Sequence, residues 1–288
     1  MFDELRIERV NRNIPKIGDK KVLVDIKGME AGEMLKLGLV TYNLAKDWDV
    51  PTIIERCTKT GFEAVELRTT HAHGVEPSLS ERQRKEVRKM FEGSAVRLLS
   101  LGTACEYHSV EKDEVLRNIE LTKKFVKLAY DVGALGVKVR PNGLQVEKGV
   151  SVEETLRQIG SALRECGTFA EDYGVEIWLE VHGKGTSDLR YIKRIMDIAD
   201  HKNVGVCWNS NNTDMIGGSV KDTFNLVKGK ICSVHIRELW DKTYPWRELF
   251  TLLKESQYDR YCLAEIPSSL EPERLMRYYR ALFEELTQ

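Results

Sequence analysis

From about Leu35 onward, short apolar runs alternate with longer segments whose apolar residues recur every three or four positions. The short runs are typical of buried strands, and the longer segments are typical of amphipathic helices. The pattern predicts eight strands, each followed by a helix, at residues 37–41, 64–67, 97–101, 136–139, 175–179, 204–208, 233–236 and 262–264. Such an alternation indicates repeated βα units.

The ends of the helical segments carry local signals of their own. Ser151 followed by Glu154 forms a capping box at the start of a clearly striped helix. Gly61, Gly133 and Gly174 each lie between a helical segment and the next strand, where a helix needs a left-handed residue to end. These short returns predict that each helix leads directly into the following strand.

Eight strands joined by helices match a single (β/α)8 TIM barrel better than a doubly wound sheet. A doubly wound sheet usually has a glycine-rich phosphate turn after its first strand, whereas the five residues after Thr41 contain no glycine. We therefore expect an α/β fold in which residues 35–288 form one barrel. Residues 1–34 lie outside the pattern and are predicted to be a short N-terminal extension, with one extra strand at 22–26.

Composition narrows the classes of partner. The 44 Lys and Arg residues nearly balance the 45 Asp and Glu residues, so no basic field favours nucleic acid. Neither a membrane span nor a signal peptide is predicted, because apolar runs are short and the first 25 residues carry many charges. Six cysteines without a C-x-x-C pair indicate reduced thiols in a cytoplasmic protein. A homo-oligomer remains compatible with the sequence.

Polar residues concentrate where the predicted strands end. Because the active site of a barrel lies at the carboxyl ends of its strands, polar side chains at these positions are candidates for function. A polar residue in so apolar a strand is costly unless it faces a solvated or ligated site. The candidates are Glu66, Arg68, His73, Lys138, Arg140, Glu180, His182, Asn209, Asn211, His235, Arg237 and Glu265.

Four of these residues suggest a metal site. Glu180, Asn209, His235 and Glu265 come from four consecutive strands at about the same height. This oxygen-rich set with one imidazole suits Mn²⁺ first, with Mg²⁺, Co²⁺ or Zn²⁺ as alternatives. The alternative interpretations are salt bridges at the barrel rim for the glutamates, a core role for His235, and turn formation for Asn209 and Asn211.

At these positions the chain resembles the sugar phosphate isomerase/epimerase family of the xylose isomerase-like TIM barrels, from about Leu35 to the C-terminus. The resemblance implies a divalent metal on Glu180, Asn209, His235 and Glu265, with the two glutamates as acid and base. Asn209 stands where the family usually has an aspartate, so we expect weaker metal binding or a changed metal preference. Asp214, five residues later, is a candidate to compensate.

The sequence thus predicts a metal-dependent isomerase or epimerase of a small sugar or polyhydroxy carbonyl compound, acting by proton transfer through an enediolate. The expected substrate-binding residues are Glu66, Arg68, His73, Lys138, Arg140, His182, Asn211 and Arg237. Lys138 and Arg140 have an alternative interpretation, in which they only pair with nearby glutamates. A dehydratase, hydratase or lyase of a keto-sugar is the alternative activity on the same site. A non-catalytic sugar-binding barrel and an abasic-site endonuclease are less favoured.

Overall fold

The computed structural model describes residues 35–288. In it, eight parallel strands close into a barrel, and neighbouring strands follow the order of the chain. The strands are β1 (Lys36–Val40), β2 (Ala64–Arg68), β3 (Arg97–Glu106), β4 (Gly136–Arg140), β5 (Glu176–Glu180), β6 (Val204–Trp208), β7 (Ile231–Ile236) and β8 (Tyr261–Ala264). The predicted TIM barrel is therefore confirmed. The strand ends agree with the predicted ones to within two residues, except that β3 continues to Glu106.

A helix follows each strand and packs on the outside of the barrel. The helices are α1 (Val50–Thr60), α2 (Glu81–Glu92), α3 (Lys112–Val132), α4 (Val152–Glu171), α5 (Leu189–Ala199), α6 (Lys221–Val227), α7 (Trp246–Glu255) and α8 (Pro272–Leu286). The capping box of Ser151 and Glu154 is present at the start of α4. Gly61 and Gly133 end α1 and α3 with φ values of 76° and 81°, in the left-handed region that glycine adopts without strain.

The apolar interior of the barrel determines where the polar site begins. Trp178 on β5 is fully buried and packs against Gly136 on β4, where a Cβ atom would lie 2.5 Å from the indole ring. Val40, Leu99 and Leu263 belong to the same interior cluster. Side chains alternate along a strand, so the residue two positions beyond Trp178 also points inward. The interior therefore changes from apolar to polar at the carboxyl ends of the strands.

The described residues bear on two further predictions. All six cysteines are free, and five of them are buried. Within residues 35–288, no helix has both the length and the apolar character that crossing a membrane requires. The N-terminal extension at 1–34 and its extra strand at 22–26 lie outside the described residues.

Candidate active site

Three acidic and imidazole side chains meet at the carboxyl end of the barrel. Glu180 ends β5, His235 lies in β7, and Glu265 directly follows β8. One ligand atom from each of them lies within 4.8 Å of the other two. The Nδ1 atom of His235 is 3.9 Å from Oε1 of Glu180 and 3.8 Å from Oε2 of Glu265. The structure thus brings together three of the four predicted metal ligands.

The imidazole of His235 is the most unusual group in this cluster. It is 1% exposed, yet its Nδ1 atom, which faces Glu180 and Glu265, has no hydrogen-bond partner in the described part of the chain. Buried polar atoms in folded proteins are nearly always paired, so this side chain is suited to a ligand. Asn209, the fourth predicted ligand, lines the adjoining cavity, and its side chain makes no hydrogen bond to any described residue. The donor set fits a divalent cation.

Glu66 on β2 lies beneath His235. It is fully buried, and its Oε1 atom is 3.4 Å from Nε2 of His235. Its other oxygen accepts a 2.8 Å hydrogen bond from the hydroxyl of Ser100 on β3. Because Glu66 does not line the cavity, its position differs from that expected of a substrate contact. The carboxylate instead supports the imidazole from behind, as the outer partners of metal-bound histidines do.

Lys138 on β4 reaches across to Glu180. Its Nζ atom lies 2.5 Å from Oε2 of Glu180, and the lysine is only 3% exposed. Burial opposes the charge on this amine, but the carboxylates of Glu180 and Glu66 raise the pKa of Lys138 above its ordinary value. The structure thus shows Lys138 paired with a nearby glutamate, and because Lys138 also lines the adjoining cavity, contact with substrate stays a prediction.

The two glutamates of the cluster have different electrostatic surroundings. Burial works against the charge on Glu180, but the ammonium group of Lys138 outweighs it and lowers the pKa of Glu180 to about 2. Burial raises the pKa of Glu265 above its ordinary value. Glu265 also has no lysine or arginine partner within residues 35–288. Paired carboxyl groups whose pKa values are pushed apart are suited to separate roles in proton transfer.

A cavity of about 470 Å³ opens above these groups. Its lining includes six of the predicted site residues besides the two glutamates: Arg68, Lys138, Arg140, His182, Asn209 and Asn211. Tyr42 and Asn43, which follow β1, and Ile266 and Pro267, which follow Glu265, complete the wall. The size is typical of a small-molecule site.

Arg140 and His182 both line this cavity, and each has an unpaired nitrogen atom. Arg140 forms an ion pair with Glu106 through Nη2 and also lines the cavity, so its contact with substrate stays a prediction. Its Nε atom and the Nδ1 atom of His182 are buried without a hydrogen-bond partner in the described chain. Burial lowers the pKa of His182 below its ordinary value.

Two predicted substrate contacts have structural roles instead. The buried His73 contacts the carbonyl oxygen of Arg68 through Nε2 at 2.8 Å and accepts a 3.0 Å hydrogen bond from the Val75 amide through Nδ1. It therefore braces the loop after β2. Arg237 donates a 2.7 Å hydrogen bond to Oδ1 of Asn212 and does not line the cavity. Its position at the end of β7 does not bring its side chain to the site.

Asn211 and Asp214 lie in the loop after β6, and both are held there by hydrogen bonds. Asn211 lines the cavity, but its side-chain amide donates a 2.6 Å hydrogen bond to the carbonyl of Val181. The buried carboxyl of Asp214 accepts hydrogen bonds from the backbone N–H of Asn211 at 2.7 Å and from the Tyr244 hydroxyl at 3.0 Å. Burial raises the pKa of Asp214 to about 7. Asp214 is not part of the ligand cluster, so the structure does not support compensation for Asn209.

Sequence reasoning did not identify two supporting residues on β3, Ser100 and Gly102. A Cβ atom at Gly102 would lie 2.6 Å from Oε1 of Glu66, so a larger residue would displace that carboxylate from its present position. A glycine inside an apolar strand is a signal that could have found this position. No comparable signal marks Ser100, because a serine in a strand is common.

The fold and the site agree with the comparison against known families. The family model of the xylose isomerase-like TIM barrel matches residues 54–286. The chain belongs to this family. The family predicted from the strand ends is therefore confirmed.

Individual relatives of this xylose isomerase-like barrel are distant. An inosose isomerase of Bacillus velezensis is 22% identical over 191 residues, which are 65% of this chain and 67% of the relative. A D-psicose 3-epimerase from Clostridium cellulolyticum H10, solved with D-tagatose, has a TM-score of 0.73 at 16% identity and covers 88% of this chain and 100% of its own. The IolI protein, solved with a zinc atom, has a TM-score of 0.71 at 19% identity, covering 88% and 98%.

Proposed function

We propose that the protein is a metal-dependent isomerase or epimerase of a small sugar or polyhydroxy carbonyl compound. The observation that carries the proposal is the cluster of Glu180, His235 and Glu265 at the open end of the barrel. The active sites of barrels of this kind lie at that end. The relatives named as an inosose isomerase and a D-psicose 3-epimerase support the same class of reaction.

The proposed cofactor is a divalent metal held by Glu180, Asn209, His235 and Glu265. Mn²⁺ is our first choice for this mixture of oxygen donors and one imidazole, and Mg²⁺, Co²⁺ and Zn²⁺ remain the alternatives. The zinc atom in the IolI protein supports a divalent cation in a barrel of this shape. A bound divalent cation would polarise the substrate carbonyl and acidify the neighbouring C–H bond.

The side chains of the protein would carry out the proton transfer. We assign the first proton abstraction to Glu265, because its pKa is raised toward the range of an effective general base. Glu180 is the second proton-transfer group, and the ammonium group of Lys138, which contacts its Oε2 atom, would supply the proton that Glu180 returns. Arg68, Arg140 and His182 would hold substrate oxygens along the wall of the cavity. The reaction that follows is proton removal and return through an enediolate.

A dehydratase, hydratase or lyase acting on the same site is the second candidate. It is favoured by Lys138, whose ammonium group faces the cavity and could protonate a departing hydroxyl. The mass of the product distinguishes the candidates, because an isomer keeps the substrate mass and dehydration removes one water. We do not propose a nucleic-acid substrate, since the net charge is −1 and the described residues contain one metal-capable cluster.

The proposal is tested by replacing the assigned base. Glu265→Gln should lower solvent-deuterium incorporation into the substrate by about 100- to 10,000-fold, because an amide cannot accept the proton. Incorporation is followed by NMR across a panel of ketoses and inososes with each of the four metals. Glu86→Gln on the exposed side of α2 is the matched control and should keep full activity. Incorporation at the wild-type rate by Glu265→Gln, or none by the wild-type protein with any metal, contradicts the proposal.

A further inference from the structure

The wall of the cavity formed by β2, β3 and β4 is rich in positive charge. Arg68, Lys138 and Arg140 all line the cavity on this side, whereas the lining carboxylates, Glu180 and Glu265, belong to the opposite side. The ammonium group of Lys138 is already neutralised by Glu180 at 2.5 Å. Arg140 pairs with Glu106, so Arg68 is the group whose charge needs an explanation.

Arg68 is the less neutralised of the two. Among residues 35–288 its guanidinium makes one hydrogen bond, a long 3.4 Å contact with the carbonyl of Gly102, and pairs with no carboxylate. An arginine carries five N–H donors in a planar fork, so most of them stay available. Arg68 is only partly buried, so its free donors face the open cavity, where a ligand can reach them. A negatively charged ligand would complete the contacts.

Arg140 offers a further unused donor nearby, and His182 has an unpaired ring nitrogen. Arg140 shares one nitrogen with Glu106, but its Nε atom is buried without a partner in the described residues. The Nδ1 atom of His182 is in the same condition. Each unsatisfied buried atom costs free energy that a ligand oxygen would recover.

The strand register places Arg68 and Lys138 on either side of Gly102. Arg68 is paired with Gly102 on β3, and Gly102 is paired in turn with Lys138 on β4, so the three residues lie at one level. Gly102 has no side chain, and a Cβ atom there would lie 3.3 Å from Cδ of Arg68. The carboxylate of Glu66 and the stem of Arg68 fill the space beside Gly102, and Arg68 extends past it to the cavity that it lines.

We propose that the substrate carries an oxyanion group, a carboxylate or a phosphate, which binds between Arg68 and Arg140. The inference rests on the proposed function, since it assigns the substrate class of the same cavity. The planar fork of arginine matches both groups, because each presents two oxygens at the spacing of two N–H donors. The reacting carbonyl would then face β5 to β8 while the anionic end of the substrate faces β2 to β4.

Anion binding can be measured without any turnover. Inorganic phosphate and acetate are titrated calorimetrically into the metal-loaded wild-type protein and into Arg68→Met, which keeps the apolar stem and removes the charge. We expect saturable binding of at least one anion by the wild-type protein, weakened about 10- to 100-fold in Arg68→Met. The stronger anion identifies the source, phosphate or carboxylate. Because both proteins carry the same metal, coordination of the anion to the metal does not contribute to the difference.

Two further variants make the comparison interpretable. Arg82→Met on the exposed face of α2 is the control for lost surface charge and should bind the anion as the wild-type protein does. Arg68→Lys should fall between the wild-type protein and Arg68→Met, because a lysine keeps the charge without the fork. Absence of anion binding by the wild-type protein, or equal binding by Arg68→Met, overturns the inference.

A substrate series provides the second readout. A neutral ketose, its phosphate ester and its carboxylate analogue are compared by solvent-deuterium incorporation. In Arg68→Met, kcat/KM should fall about 10- to 100-fold more for the anionic member than for the neutral one. Equal losses for both would show that Arg68 acts on the reaction and not on an anionic group. If no sugar in any form exchanges deuterium, the proposed function fails, and the calorimetric experiment still decides the anion site.

Discussion

The two sides of the barrel mouth have opposite chemistry. Strands β5 to β8 supply the proposed metal ligands, three of which lie within 4.8 Å of one another. Strands β2 to β4 supply Arg68, Lys138 and Arg140, with Glu66 buried beneath them. One side is thus suited to a cation and the other to an anion. The two sides share one cavity, and two contacts join positive and negative groups across it. These are Lys138 with Glu180, and His235 with Glu66.

Lys138 is the contact that joins the two sides, and removing it should have the largest effect. Lys138→Met leaves Glu180 buried without its ammonium partner, which should lower the free energy of unfolding of the metal-free protein by about 3–5 kcal/mol. The measurement is urea denaturation followed by circular dichroism. The double variant Lys138→Met with Glu180→Gln should recover most of the loss, because no buried charge then remains unpaired.

The same pair makes a pH-dependent contribution that tests the assignment. The pKa of Glu180 is about 2 in the folded protein, against an ordinary value of 4.5. The pair therefore stabilises the fold fully above about pH 4.5, and this contribution is lost as the pH falls toward about 2. Lys138→Met should lack most of that acid-dependent loss. A variant as stable as the wild-type protein, with the same acid profile, would show that the ion pair does not join the two sides.

The second contact across the mouth is between Glu66 and His235. Glu66→Gln should weaken divalent metal binding by about 10- to 100-fold, because the amide no longer orients the imidazole as the carboxylate does. Competition with a chelator gives the affinity, and ¹⁵N NMR of His235 reports which ring nitrogen carries the proton. Ser100→Ala, which removes one hydrogen bond to Glu66, should give a smaller loss in the same direction. Unchanged affinity and an unchanged tautomer in Glu66→Gln would leave Glu66 without this role.

The strands and the residues at their ends could be predicted from the sequence. The eight strands were predictable because their apolar runs, helix stripes and glycine ends repeat with local regularity. The positions of Glu180, His235 and Glu265 followed from the rule that barrel sites lie at strand ends. Local regularity thus predicts which strand a residue belongs to and how near it lies to the strand end.

The partner that a side chain reaches depends on distances across the barrel, which the sequence does not contain. Lys138 was open to two interpretations, and only the structure shows that its amine contacts Glu180. Glu66 was expected to contact substrate, because nothing in its own strand shows that His235, on a strand far along the chain, covers it. Arg237 also lies at a strand end, yet it turns toward Asn212 in a neighbouring loop. The spatial pairings were therefore the part that required the structure.

The smallest of the expected effects concerns the number of carboxylates on the cation-binding side. Asn209→Asp should tighten divalent metal binding by about 10-fold, because a charged oxygen replaces a neutral one beside the same cavity. Asp214→Asn is the control, because Asp214 lies outside the ligand cluster and its carboxyl accepts hydrogen bonds from Asn211 and Tyr244. The metal affinity of this variant should match that of the wild-type protein. Both affinities come from the chelator competition used for Glu66→Gln. If Asp214→Asn weakens the metal and Asn209→Asp does not tighten it, the missing charge is supplied by the loop after β6. In that case the cation-binding side extends beyond the four strand ends.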